Sequence, residues 1–331
     1  MEKQSLNKRL KIQLIKYPQL GALSILIVVI IVFTILSPVN NGINAFISTA
    51  NIKSVLEQTA GISIVAFGMT MVLLVGGPDL SVSATIALSG VVTANLMEKA
   101  GWGIAPSIIA SLLMGLLIGF INGFIIVRYK VLPYLVTMGM QIVARGACYA
   151  LSKGETTYIM NKKVSQIFVR SNILGVPVII LWTLFFLVSM YVIVSKTKLG
   201  RWTQGIGGNE LAARNSGINV GRIKIAVFML NGFLAAFAGL ITLSRLGAGM
   251  PSVGIGAEGN AIAAAVIGGT SFSGDGGNMF GTLLGSLVMG SIVNGLTIIG
   301  MNSYVQDMVR GSVILISVIG SSLLVSRKNK K

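Results

Sequence analysis

The chain has no histidine and a single cysteine, Cys148, among its 331 residues. The absence of histidine removes the commonest metal ligand and the side chain best suited to proton transfer near neutral pH. One cysteine excludes an intrachain disulfide and a thiolate metal cluster. Because Cys148 lies in an apolar run, we interpret it as a core residue, and we predict that the chain binds no metal.

Charged residues are scarce, at 11% of the chain, whereas apolar residues make up 53%. Repeated, nearly uncharged runs of about 18 residues match the thickness of a bilayer core and predict an all-α polytopic membrane protein. The net charge of +17 comes from 26 basic and 9 acidic residues. The basic residues are scattered between apolar runs without aromatic interleaving, which indicates cytoplasmic anchoring and not nucleic-acid binding.

The apolar runs predict about ten transmembrane helices in a single domain over residues 20–325. They lie near residues 20–37, 58–76, 81–97, 105–127, 131–151, 176–195, 225–243, 259–271, 280–299 and 306–325. The eighth spans only about 20 Å at about 1.5 Å per residue, short of a core of about 30 Å, so we expect it to be broken or tilted.

The distribution of basic residues predicts that both chain ends are cytoplasmic. In that orientation, cytoplasmic segments carry 17 basic residues and external segments 7. Nine crossings would leave the basic tail at 326–331 outside. The basic segment at 1–19 has no signal cleavage site after it, so we interpret it as a retained tail. The longest external interval, 151–176, is either a landing site for an extracytoplasmic partner or a connecting loop.

The longest polar interval that could be a folded feature is residues 196–224, which contain six basic side chains. Asn209 is suited to cap a short helix, and Glu210 follows in the first turn, where an anion suits the positive end of the helix dipole. Gly217 is suited to end that helix. The pattern predicts a small docking helix held against the membrane.

Two glycine-rich breaks interrupt the apolar runs, one at 76–79 and one at 268–277. Asp79, after Pro78, caps the next helix or contacts a substrate. The second break contains Asp275 and resembles a phosphate cradle, but the chain has no G-x-x-x-x-G-K-S/T motif, which argues against ATP binding there. The predicted structural breaks are Gly76, Gly77, Pro78, Asp79, Gly268 and Gly269.

Polar amides lie inside several apolar runs. Asn122, Asn231 and Asn294 each precede a glycine, and Gln141 lies in the fifth run. A buried amide in a membrane must find an interhelical partner or face a wet path. Two interpretations stay open: the four residues join helices, or they line a path for a neutral hydroxylated solute.

Three motifs together resemble the membrane permease subunit of bacterial ribose-type sugar ABC importers. They are the central loop, GMTMVLLVGGPDLSVS from Gly68 and AIAAAVIGGTS from Ala261, and the similarity runs from about Asn51 to the C-terminus. The resemblance implies a multi-pass protein of the bacterial cytoplasmic (inner) membrane. It also implies a translocation path for a neutral monosaccharide or related polyol, with no catalytic residues in this chain.

The resemblance also implies partners. These are a cytoplasmic ABC ATPase that binds ATP and Mg, a second permease copy or a paralogue, and an extracytoplasmic sugar-binding protein; this chain itself would hold no cofactor. Carried over residue by residue, ATPase docking falls on Gly207, Gly208, Asn209, Glu210, Ala212, Ala213 and Gly217.

The chain departs from the family pattern at Pro78 and Ser83, where isoleucine and glycine are usual, and at 258–260, where Glu-Leu-Asp is usual. The alternative is a secondary transporter of a small polar solute. That class usually needs a titratable or ion-binding cluster at the midplane, and this chain has few buried acids and no histidine.

Overall fold

A computed structural model describes residues 18–40, 42–271, 274 and 276–328. Most of the predicted tail at 1–19, Asp275 and the last three residues of the 326–331 tail lie outside the described residues. Asn278 anchors the start of the first helix, since its Nδ2 donates to Gln19 Oε1 over 2.8 Å.

Helices dominate the described chain. They are α1 (Pro18–Leu36), α2 (Thr49–Leu74), α3 (Val82–Glu98), α4 (Ile104–Tyr129), α5 (Pro133–Ser152), α6 (Lys162–Ser165), α7 (Val178–Lys196), α8 (Lys198–Gly208), α9 (Glu210–Asn215), α10 (Val220–Leu246), α11 (Ala257–Ile267), α12 (Met279–Ile298) and α13 (Ser303–Lys328). A helix lies at each of the ten predicted apolar segments. By length and composition, six of these helices (α1, α2, α4, α7, α10 and α12) suit a membrane crossing, and α3 and α11 are shorter apolar helices.

Short strands pair outside the helices. They are β1 (Val39–Asn40), β2 (Ile43–Asn44), β3 (Thr157–Tyr158), β4 (Asn172–Ile173), β5 (Val176–Pro177) and β6 (Ala248–Gly249). β1 pairs with β2, β3 with β6, and β4 with β5, all antiparallel. The predicted external interval is therefore partly ordered, because β3 and β4 lie within it.

The core is built around α10, which packs against α2, α3 and α4. Glycines allow the α4–α10 approach: a Cβ on Gly115 would overlap the carbonyl oxygen of Gly232, and a Cβ on Gly232 would overlap that of Gly115. Close backbone approach through small residues is typical of helix pairs in membranes. A second group forms where α12 packs against α1, α2 and α11.

The break at 76–79 separates α2 from α3. Gly76 has φ +114°, a conformation that side-chain-bearing residues rarely adopt. Gly77 lies against the ring of Pro133, where a Cβ would come within 3.0 Å. The carbonyl oxygen of Pro78 accepts a 3.3 Å hydrogen bond from Thr137 Oγ1, so the break is held against the start of α5.

The second break follows α11. Gly268 packs so closely on the backbone of Gly281 that a Cβ would overlap it, and Gly269 has φ +97°. α11 has 11 residues, about 16 Å at about 1.5 Å per residue, so a short element is present as expected. It begins two residues before the predicted 259–271 segment and ends four residues before that segment does, because the chain turns at Gly268.

Candidate docking and translocation site

The central polar interval folds into α8 and α9. Asn209 Oδ1 accepts a 2.9 Å hydrogen bond from the amide of Ala212, the geometry of an N-cap. Gly217, beyond the helix, has φ +82°. The cap, the acidic first turn and the closing glycine have the arrangement that the sequence predicts.

Glu210 ties α9 to the start of α10. Its Oε1 accepts from Arg214 Nη2 at 2.7 Å, and its Oε2 accepts from Lys224 Nζ at 2.8 Å. Partial burial raises the pKa of Glu210, but the hydrogen bonds and positive charges of Lys224 and Arg214 outweigh it and lower the pKa below its ordinary value of 4.5. The carboxylate is therefore ionised at neutral pH, and it joins α9 to α10, the central helix of the core.

Gly207, in α8, lies against the end of α2 and the second break. A Cβ on Gly207 would overlap the carbonyl oxygens of Leu74, at the end of α2, and of Gly274, in the second break. α2 and α12 are also joined beside the breaks, since the hydroxyls of Thr70 and Thr282 lie 2.8 Å apart. α8 is therefore in close backbone contact with the end of α2 and with the second break.

The carried-over docking residues do not share one environment. Exposed positions are Gly208, Asn209, Ala212 and Gly217, whereas Ala213 is buried. The structure adds Leu211, which is 68% exposed, and Trp202, which is 40% exposed. Sequence reasoning overlooked both, although an apolar side chain next to a helix cap in a polar loop is a signal for a contact surface.

Asp79 lies at the centre of a buried hydrogen-bond network. Its Oδ1 accepts from the amide of Ser81 at 2.9 Å and from Ser81 Oγ at 2.6 Å. Its Oδ2 accepts from Asn231 Nδ2 at 2.9 Å, and Asn122 Nδ2 donates to Ser81 Oγ at 2.9 Å. Asp79 is 1% exposed. These contacts join the break to α4 and α10 and favour the structural interpretation of the aspartate.

The three asparagines are buried in the single chain. Asn122 and Asn231 are 0% exposed and Asn294 is 5% exposed. Asn231 Oδ1 packs against Gly68, where a Cβ would overlap it. Beside Asn294, Gly295 packs against the ring of Phe33 on α1. Burial and the hydrogen bonds to Ser81 and Asp79 favour helix joining for Asn122 and Asn231.

Gln141 has a different environment, because it is partly exposed and lies among polar groups of other segments. Its Nε2 donates to Ser83 Oγ at 2.9 Å and to Glu258 Oε1 at 3.4 Å. Glu258 is in the first turn of α11. Of the four predicted path residues, Gln141 is the one that the structure leaves partly accessible.

A cavity of about 460 Å³ opens between the start of α2, the segment around β4 and the end of α10. Four charged side chains line it: Lys53, Glu57, Arg170 and Arg245. Among the described residues none of the four has an ion-pair partner within 4.0 Å. The cavity therefore presents an excess of positive charge.

In the part of the chain that the structure describes, no three His, Cys, Asp or Glu side chains form a group that could hold a metal ion. The arrangement contains polar contacts between interrupted helices, a capped loop and a basic cavity. Such features suit a transport subunit.

Comparison with known proteins identifies the class. A family model described as a permease component of the branched-chain amino acid transport system matches residues 51–318. The ribose import permease protein of Bacillus subtilis (strain 168) is 41% identical over 91% of this chain and 92% of its own length. The D-allose transport system permease protein of Escherichia coli (strain K12) is 34% identical over 90% of each chain.

The xylose transport system permease protein of the same Escherichia coli strain is 32% identical over 83% of this chain and 85% of its own length. No solved structure matches the chain. The chain is therefore a multi-pass membrane permease subunit of the sugar ABC importer type, and it is not an enzyme. It belongs to the transport-system permease family whose model covers residues 51–318. The alternative of a secondary transporter has no support from these matches.

Proposed function

We propose that this chain forms, with a second copy or a paralogue, the translocation path for a neutral monosaccharide or related polyol. The observation that carries the substrate class is its similarity, over 83% to 91% of its length, to permeases named for ribose, allose and xylose. These sugars are neutral and hydroxylated, so a path for them needs hydrogen-bonding groups and no fixed counter-ion.

A cytoplasmic ABC ATPase docks on residues 196–224 and binds ATP and Mg, neither of which this chain holds. The capped helix α9 supports this assignment, since it presents Asn209, Ala212 and Leu211 to the surface. The packing of Gly207 on Leu74 and Gly274 supports a direct mechanical connection from the ATPase to both helix breaks. We therefore expect ATPase docking on this loop to move the helix segments beside the two breaks, and not an uninterrupted helix.

The domain over residues 20–325 crosses the bacterial inner membrane ten times, with both chain ends in the cytoplasm. The excess of basic residues on the cytoplasmic side supports this orientation. α3 and α11 contribute as interrupted crossings, because each begins or ends at a glycine-rich break. Helices that are discontinuous at membrane depth occur in transporters, where the freed backbone faces protein or a cavity.

An extracytoplasmic sugar-binding protein docks at the basic cavity. Three cations, Lys53, Arg170 and Arg245, surround one carboxylate, Glu57, which favours an acidic partner surface. The neighbouring β4–β5 hairpin exposes Leu174 at 99%, and its φ of +52° is rare for a side-chain-bearing residue. An exposed apolar tip beside a cluster of cations suits a protein interface better than a simple connecting loop.

The test is reconstitution of the complete complex in proteoliposomes. Ribose, allose and xylose are offered with the binding protein outside and ATP at the ATPase side. We expect ATP-dependent uptake of at least one sugar and no ATP hydrolysis by the isolated permease. ATP hydrolysis by the permease alone, free of contaminating ATPase, would overturn the division of labour, and a complex that takes up branched-chain amino acids but no sugar would overturn the substrate class.

A further inference from the structure

Residues 250–256, hereafter the 250–256 loop, connect β6 to α11 and present one isoleucine. Gly254 and Gly256 both have φ +79°, and Ile255 lies between them. Ile255 is 70% exposed although it belongs to the segment that leads directly into α11. Two glycines in the left-handed region turn the chain sharply on either side of this side chain.

The loop is held firmly. Arg145 Nη1 donates to the carbonyl oxygen of Pro251 at 2.6 Å and to that of Val253 at 2.8 Å. Arg145 Nη2 donates to the carbonyl oxygen of Ser83 at 3.1 Å. Gly254 lies against that same carbonyl, where a Cβ would come within 2.6 Å. The position of Ile255 is therefore set by the fold.

The loop reaches into the helical bundle. Gln141, whose partners include Ser83, lies eight residues after the start of α5 and eleven before its end. At about 1.5 Å per residue these separations are about 12 Å and 17 Å, so this level is far from both ends of the helix. The Ser83–Gly254 contact brings Ile255 to the same level as Gln141.

The surface around Ile255 is not suited to lipid. Gln141 donates to Ser83 and to Glu258, and both Gln141 and Glu258 are partly exposed. Glu258 Oε2 is buried and accepts no hydrogen bond from the described residues. Ionisable and amide groups at membrane depth face a bundle interior or a water-filled cavity. The exposed face of Ile255 therefore borders a polar space.

We propose that Ile255 forms the apolar constriction of the translocation path and that Gln141 and Glu258 bind the hydroxyl groups of the sugar beside it. The proposal rests on the proposed function and adds the residues that select the solute. An apolar constriction excludes ions by dewetting when the path is empty. The Gln141 amide nitrogen already donates to Ser83 and Glu258. Its amide oxygen and the carboxyl oxygens of Glu258 therefore accept hydrogen bonds from the hydroxyl groups of the solute as it passes.

The test uses the reconstituted complex with three variants. Ile255→Trp adds bulk at the constriction, and Ile255→Ala removes it. Ile35→Trp is the matched control, since Ile35 is 76% exposed on α1, which packs against α12 at the edge of the bundle. We expect Ile255→Trp to lose most of its uptake per assembled complex, and Ile35→Trp to retain it.

Ile255→Ala keeps the test decisive if the tryptophan variant does not assemble. We expect vesicles with this variant, preloaded with sugar and without ATP, to lose the sugar faster than wild-type vesicles. If the wild-type complex takes up sugar, two results would overturn the constriction. They are normal uptake by Ile255→Trp, and sugar loss from Ile255→Ala vesicles that is no faster than from wild-type vesicles. Either result would leave the proposed function intact. Absence of sugar uptake by the wild-type complex would instead overturn the proposed function.

Discussion

Asn231 Nδ2 donates a 2.9 Å hydrogen bond to Asp79 Oδ2, and this bond joins the middle of α10 to the break between α2 and α3. α10 starts at Val220, inside residues 196–224, and its Lys224 contacts Glu210 over 2.8 Å. Contacts thus lead from α9 through α10 to the break before α3. The two contacts connect α9 to the break between α2 and α3.

Replacing Asn231 by leucine should destabilise the permease by about 1–3 kcal/mol, because Asp79 Oδ2 would be left buried without this donor. We expect a lower melting temperature and a lower yield of complex, with unchanged uptake per assembled complex. Asn294→Leu is the control, and its destabilisation should be milder. Asn294 Oδ1, like Asn231 Oδ1, accepts no hydrogen bond within the described chain, but among the described residues Asn294 donates to no carboxylate. A fall in uptake per assembled Asn231→Leu complex would show instead that Asn231 lines the translocation path.

Gly207→Ala should impair coupling, because the new methyl group would overlap the carbonyl oxygens of Leu74 and Gly274. Gly208→Ala is the matched control, since a Cβ there meets nothing within 4 Å among the described residues. Binding-protein-stimulated ATP hydrolysis and uptake measure coupling. Equal activity of the two variants would show that the packing of Gly207 on the breaks has no role in transport.

Glu210 should make the stability of the docking loop depend on pH. Because the folded-state pKa lies below the ordinary value of 4.5, ionised Glu210 stabilises the loop above pH 4.5, and this contribution is lost as pH falls through the lowered pKa. Glu210→Gln should therefore weaken ATPase binding at neutral pH and differ little from wild type in acid. Titration of ATPase affinity against pH for both proteins measures this, and a constant difference down to strongly acidic pH would contradict it.

Reversal of one charge in the basic cavity should weaken docking of the extracytoplasmic protein. Arg245→Glu changes the excess positive charge at the cavity, whereas Lys99→Glu changes an exposed lysine that does not line it. We expect Arg245→Glu to raise the concentration of binding protein needed for half-maximal uptake, more so at low salt. If both variants need the same concentration of binding protein for half-maximal uptake, the cavity is not part of the docking interface.

Cysteine labelling should report the orientation of the chain. Cys148 is buried, and a Cys148→Ala background removes it. Gln204 and Lys162 are both exposed, so Gln204→Cys serves as the cytoplasmic reporter and Lys162→Cys as the external one. An impermeant reagent should label position 162 and not 204 in intact cells, and the reverse pattern would contradict the proposed topology.

The membrane class and the capped helix α9 could be predicted from sequence because their causes are local. Uncharged runs reach the length of a crossing by composition alone, and Asn209, Glu210 and Gly217 specify a cap, a first turn and an end within nine residues. The breaks could also be predicted, since glycines and proline act on their own backbone. The number of crossings stays a prediction.

The sequence by itself determined the all-α membrane protein, the capped loop and the family, because periodicity, capping and motif similarity depend on residues close together in the chain. Only the tertiary structure decided which amide and carboxyl side chains contact each other. Asp79 and Asn231 are 152 residues apart, and Gln141 and Glu258 are 117 apart. Such pairs depend on how the helices pack. Asn122, Asn231 and Asn294 all precede a glycine, but their side chains make different contacts. Packing likewise leaves Gln141 partly accessible and Asn231 buried.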